Sequence, residues 1–187
     1  MQERAGKWSR AAGLTLLEAL VVVALLGVMV SLAAPGLSAL RQQHQLQAAA
    51  EGLWSSLVLA RSEALRRQQR VTVCARQAGQ SEACGGGADW QQGWLVFADA
   101  NDNASLDAGE QVLERHAAPP VGVQLIVSST VSAYFSYNAQ GRSATVHGAF
   151  MAGTWRFCRP DATAAWQVVG NALGRPRLEK SSAASCG

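Results

Sequence analysis

Charge is scarce in this chain of 187 residues: Asp, Glu, Lys and Arg together make up only 16%. Hydrophobic residues make up 49%, a balance that excludes a disordered chain. Histidine is scarcer still, and His44, His116 and His147 stand far apart in the sequence. No G-x-S-x-G, H-E-x-x-H, Walker or G-x-G-x-x-G pattern occurs. Gly85-Gly86-Gly87 is followed by neither Lys-Ser/Thr nor a helical pattern, and Ser181-Ser182 has no recognisable base. Catalysis is therefore not expected. The cysteines lack the C-x-x-C and H-x-x-x-H spacings of a zinc site. There is no internal repeat, and the length suits one domain at ~100–200 residues per domain. A mean hydropathy of +0.04 excludes a polytopic membrane protein.

What apolar excess exists is concentrated. Leu14 to Ala34 is a run of 21 residues with one charge, Glu18. At ~1.5 Å per residue such a helix spans ~30 Å, one bilayer core. Residues 1–13 are polar and basic, with Arg4, Lys7 and Arg10 against Glu3. That flank keeps the N-terminus cytoplasmic and exports the rest. An ordinary secretory signal is cut after its apolar region. Here Ala33-Ala34 runs into Pro35 and the run is long enough to span, so an anchor is expected. Glu18 is costly in such a helix: it needs a partner, or it snorkels to the interface.

Gly13 followed by Leu14-Thr15-Leu16-Leu17-Glu18 and an apolar helix resembles the class III signal of type IV pilins and pseudopilins. The resemblance implies that a prepilin peptidase removes residues 1–13 by cutting after Gly13, and that Leu14 is then N-methylated. Leu14 stands where the family usually has Phe. Glu18 becomes the fifth mature residue and Pro35 the twenty-second, matching the family's glutamate and helix-kinking proline. The ammonium group of Leu14 would pair with Glu18 of a neighbouring subunit. Implied partners are other major and minor pilins, the peptidase, and the inner membrane before assembly. The head is periplasmic at first and extracellular in the pilus.

Pro35-Gly36 is expected to bend or locally unwind the first helix. Beyond it, Leu46, Ala50, Leu53, Leu57, Ala60 and Ala64 step by four and three, one face of an amphipathic helix. Arg61, Arg66, Arg67 and Arg70 lie at its end, where cations suit the helix dipole. From Val71 the pattern becomes short β-rich runs: 71–74, 93–97, 111–113, 121–127, 134–137, 154–158 and 166–169. Trp54, Trp90, Trp94, Trp155 and Trp166 are expected in the core or on sheet faces. The fold class is α+β, a pilin-like fold. Residues 14–35 form the transmembrane and assembly half of a long N-terminal helix, and residues 36–70 its amphipathic half. Residues 71–187 form a head built on an antiparallel sheet or small sandwich. This head, with Gly-Trp-Leu-Val-Phe running into an Asp/Asn loop, resembles the FimT/FimU and GspH group of minor pilins and pseudopilins.

Four cysteines allow three connectivities, and an exported head would oxidise them. Local pairing is expected, Cys74 with Cys84 and Cys158 with Cys186. Asp99-x-Asn101-x-Asn103-Ala104, with Asp107 and Glu110, nearly fits a calcium loop, but Ala104 replaces the turn glycine. Asx-turns in a hairpin explain the same residues. Charge is also divided along the chain. Residues 71–115 carry Arg76 and Arg115 against seven carboxylates, net −5, and residues 116–187 carry a net +4. Either the C-terminal part meets an anion, or one domain has two differently charged faces.

Gly174-Arg175-Pro176-Arg177 is the sharpest feature of the tail. Pro176 extends the chain, and two guanidinium groups ~7 Å apart at ~3.3 Å per residue match neighbouring phosphates on one nucleic-acid strand. Lys180 is close in sequence, and pairing of Cys158 with Cys186 would bring Arg159 towards the tail. The alternative is an exposed hairpin whose arginines pair with Asp161 or Glu179. The four residues resemble the G-R-x-R motif of FimT-type minor pilins, which bind DNA for uptake in natural transformation. That resemblance implies DNA contact through Gly174, Arg175, Arg177, Lys180 and Arg159, by phosphates and not by base sequence. The other implied role is a structural minor pilin or a GspH-type pseudopilin of type II secretion, with no DNA contact.

Overall fold

In the computed structural model the described residues are 15–77, 79, 83–84, 89–160, 162, 164–182 and 186. Gly13 and Leu14 lie outside them, as do Gly85-Gly86-Gly87 and Asp161. The chain divides into two units, residues 1–41 and 42–187.

From Leu16 on, the first unit is helical. Helix α1 runs over Leu16–Arg67, 52 residues. Thr15 starts it, its Oγ1 accepting the Glu18 backbone N–H at 3.2 Å. This is half of a capping box, with Glu18 in the N3 place. Helix is assigned without a break through Pro35 and Gly36. The local unwinding expected there does not occur, since a proline costs a helix one hydrogen bond and the turns on either side hold. Leu16, Leu20, Val23 and Met29 are exposed. Among the described residues no helix is long and apolar enough to cross a membrane, and the expected span over 14–35 includes residues outside that set.

In the second unit α1 presents the predicted stripe. Leu46, Ala50, Leu53, Leu57, Ala60 and Ala64 are all buried, with Ala49 beside them. Eight strands follow: β1 (Val71–Ala75), β2 (Trp94–Ala98), β3 (Val112–His116), β4 (Gln124–Val127), β5 (Tyr134–Tyr137), β6 (Gly153–Cys158), β7 (Ala164–Gly170) and β8 (Arg177–Ser182). They form two four-stranded antiparallel sheets, ordered β3-β2-β1-β5 and β4-β6-β7-β8. One core joins the helix stripe to both sheets through Val71, Val73, Trp94, Phe135, Trp155, Phe157 and Val168. Strands β1 and β2 are buried along their whole length, which explains their unbroken apolar runs. Their outer face is covered by Leu106, Val112 and the Cys74–Cys84 bridge.

Seven strands were expected where β1 to β7 stand, with ends shifted by up to three residues. Strand β8 was not, because only Leu178 in it carries an apolar signal. Trp90, Trp94 and Trp155 are core residues, whereas Trp54 is 38% exposed on the helix flank. Trp94 donates to Ser56 Oγ at 2.9 Å, and Ser56 in turn donates to Glu114 at 3.0 Å, a buried polar link from helix to sheet. His116 stacks on Trp94 with ring centroids 3.9 Å apart.

At the end of α1, Glu63 is held by Arg66 and Arg67, and Arg67 reaches on to Gln111 at 2.8 Å. Hydrogen bonds from Arg66 and then Arg67 pull the Glu63 carboxyl down to about 2. A depressed carboxyl contributes stability above its unfolded value of ~4.3 and loses it as pH falls through the folded value. The urea midpoint of wild type should exceed that of Glu63→Gln at pH 6, and the gap should close towards pH 2. In the core, Leu53→Ala should cost about 2–5 kcal/mol in the same assay, as expected for a fully buried leucine.

Candidate nucleic-acid interface

The turn from β7 to β8 is built by one side chain and one glycine. Asn171 Oδ1 accepts the backbone N–H groups of Leu173 at 3.1 Å and Arg175 at 3.2 Å. Its carbonyl accepts the Gly174 N–H at 2.9 Å. Gly174 is buried, with φ of +73°. A Cβ there would stand 2.2 Å from the Gly141 carbonyl oxygen and 3.1 Å from the Tyr137 ring. Glycine is therefore required twice, by conformation and by space. Burial pushes the Tyr137 phenol well above its ordinary range.

Two donors of α1 hold this region. Trp54 Nε1 donates to the Pro176 carbonyl at 3.2 Å, and Arg61 Nε donates to the Gly141 carbonyl at 3.0 Å. Positions 54 and 61 are seven residues apart and share one helix face. The Gly141 turn itself closes on Asn138, which receives the Gly141 N–H on its carbonyl at 2.8 Å and the Arg142 N–H on its side chain at 3.0 Å. Arg142 thus sits between Gly141, packed under Gly174, and Ser143, whose hydroxyl lies 2.8 Å from the Asn171 carbonyl. Arg142 was not singled out from sequence, although the Asn138–Gly141 turn chemistry before it was a readable signal.

Arg175 is exposed, and its guanidinium meets no carboxylate among the described residues. Arg177 opens β8 and pairs with Glu179 at 3.3 Å, the two side chains 63% and 41% exposed. Glu179 is shared with Gln167 at 3.2 Å. A pair this exposed is worth little and yields readily to a better anion. Arg177 and Glu179 lie on the outer face of β8, because Leu178 packs inward on the core.

The pleat and the register also set where Lys180 and Arg159 lie. Lys180 lies on the Leu178 face, opposite Arg177, in register with Trp166. The Cys158–Cys186 bridge ties the residue before Arg159 to the tail. Arg177 stands opposite Val169, and Val169 opposite Thr154, five residues before Arg159 on the β6 side. At ~3.4 Å per residue the two arginines are ~17 Å apart along the strands. Arg159 instead folds over the 121–122 turn, donating to the Val121 carbonyl at 3.3 Å. The turns that carry Arg142 and Arg175 meet through Gly141 and Gly174.

The acidic loop is tied up in turns. Asp99 accepts the N–H groups of Asn103 and Ala104, each at 3.0 Å, and the Thr72 hydroxyl at 2.8 Å. Glu110 accepts from Ala100 at 2.8 Å and Asp107 at 3.0 Å, and Asn103 Oδ1 accepts from Ser105 at 2.7 Å. Hydrogen bonds from Asn101 and then Asn103 hold the Asp107 carboxyl below its usual range. No cluster of His, Cys, Asp and Glu able to hold a metal occurs among the described residues. The Asx-turn reading accounts for these oxygens one by one.

Against known proteins, residues 49–174 match the family described as type II transport protein GspH. Residues 8–34 match the prokaryotic N-terminal methylation motif. The pilin-like protein PilA1 of Thermus thermophilus is 39% identical over 104 residues, which are 56% of this chain. The match spans 58% of that protein's length. Two crystal structures of the type IV minor pilin FimU of Pseudomonas aeruginosa share the fold. One covers 78% of this chain and 98% of its own at TM-score 0.55, the other 76% and 100% at TM-score 0.53, both at 22% identity. These are pilins and transport proteins, not enzymes.

Gly174→Ala should destabilise the chain by roughly 1–3 kcal/mol, since the turn must open to admit a methyl group at positive φ. Thermal unfolding followed by circular dichroism measures the loss.

Proposed function

Since the chain belongs to the GspH family of type II transport proteins, we propose that it is a minor pilin whose head grips DNA by its phosphates. The observation that carries this reading is the anchored turn of Gly174 to Arg177. There Arg175 is without a carboxylate partner among the described residues, and Arg177 is only loosely held. Arg142 extends the cationic surface beside them. Permanently charged forks on two turns that pack together at Gly141 and Gly174 suit a polyanion of regular spacing. Nothing in the arrangement reads bases in a groove, so contact is independent of sequence. In this reading residues 1–13 are removed after Gly13, Leu14 is methylated, and the apolar helix anchors the chain in the inner membrane. Glu18 then pairs with a neighbouring Leu14 ammonium group during assembly with other pilins. DNA taken up in natural transformation is the substrate.

The GspH match favours a second reading, a pseudopilin or structural minor pilin that serves assembly alone. Arg175→Ala with Arg177→Ala separates the two. Measured by fluorescence anisotropy on the full chain in detergent, the double variant should bind duplexes of unrelated sequence more weakly by similar factors. Its slope of log affinity against log salt should fall by about two contacts' worth, at ~0.9 per phosphate. If the full chain binds no DNA, or the variant binds like wild type, the phosphate-gripping role is lost. A loss of pili or secretion on deletion would then support the assembly role.

A further inference from the structure

The hairpin between β5 and β6 carries a feature the phosphate contacts do not use. Phe150 is 74% exposed, while Trp90, Trp94, Phe97, Phe135, Tyr137, Trp155 and Phe157 are buried. The exposure is built into the hairpin. Ala144 pairs with Phe150 across it. Thr145 and Ala149 close the tip with a backbone bond of 2.7 Å, Gly148 donates back to Thr145 at 3.0 Å, and the Ala149 N–H meets Thr145 Oγ1 at 3.1 Å. Phe150 forms one wall of a cavity of about 410 Å³. Asn138, Gln140, Arg142, Gly148 and Ala172 are among the other lining residues. Ala172 belongs to the same turn as Gly174, and Arg142 lies between that turn's two contacts with the hairpin.

An aromatic face, an amide with both donor and acceptor, and a guanidinium on one cavity wall form a set that suits one chemical object. Resting on the DNA reading above, we propose that this cavity seats a single unpaired nucleobase. The base stacks on Phe150, its edge meets the Gln140 amide, and the adjoining phosphate meets Arg142. Phosphates further along the strand meet Arg175 and Arg177. In a duplex both faces of a base are already stacked and its Watson–Crick edge is paired, so the cavity selects single strands. It does so with little regard to which base is offered, because every base has a π-face.

The test uses the full chain in detergent and three labelled probes of equal length at fixed salt: oligo-dT, an abasic strand with the same phosphates, and a duplex. Wild type should bind oligo-dT more tightly than the abasic strand. Phe150→Ala should weaken oligo-dT by roughly ten-fold and leave the abasic strand and the duplex unchanged. Phe150→Trp should restore oligo-dT binding, which a lost fold would not permit. The cavity assignment is overturned if oligo-dT and the abasic strand bind alike, or if Phe150→Ala leaves oligo-dT unchanged. It is also overturned if the variant weakens all three probes equally. Loss of pilin assembly in Phe150→Ala with unchanged oligo-dT binding would assign the phenyl ring to a protein neighbour instead. The two readings fail separately. Binding that depends on Arg175 and Arg177 but ignores the bases removes only the cavity, whereas no binding to any probe removes both.

Discussion

The head depends on one apolar stripe of α1 meeting both sheets at once. Leucines at 46, 53 and 57 fill the core, and alanines at 49, 50, 60 and 64 leave room for the strands to come close. The stripe shares one core with the inner faces of both sheets, joined there by Trp90, Val131 and Met151 from the connecting segments, and so helps fix where each sheet stands. The loops at the strand ends inherit that placement. Trp54 and Arg61, on the flank of the same helix, then take two loop carbonyls, one from each of the turns that carry the arginines. Core packing and site geometry therefore share a single ruler, the residue spacing of α1.

The charge division along the chain becomes a division in space. The turn 138–140 lies between a polar recess lined by Arg70, Asp99 and Asp102 and the cavity lined by Arg142 and Phe150. Asp102 is held by the buried Arg70 at 2.8 Å and itself stays 62% exposed. The arginines of the other side remain in solvent.

The sequence made the helix legible because its stripe has a clean period and few competing residues. The inner strands were legible because they are buried on both faces and read as apolar runs. The structure forms both local cysteine pairs, Cys74–Cys84 and Cys158–Cys186, as the spacing suggested. Strand β8 escaped because an edge strand with one face in water has no apolar pattern to show. The tail motif was visible as a string of four residues, but not its membership. Which residues share its face depends on strand register and on the pleat, which set Lys180 on the face opposite Arg177. The turn before Arg142 meets the tail turn through glycines more than thirty residues apart in sequence, and no local rule announces such a contact.

The Cys158–Cys186 bridge has a mechanical meaning. It closes a covalent ring that contains β7, the arginine turn and β8. An edge strand pulled from its free end unzips one hydrogen bond at a time. Here a load on the turn returns through the ring to β6 in the middle of the sheet, so the strands are sheared together rather than peeled. A force applied at the turn is thereby carried by a covalent closure as well as by the hydrogen bonds of the strands.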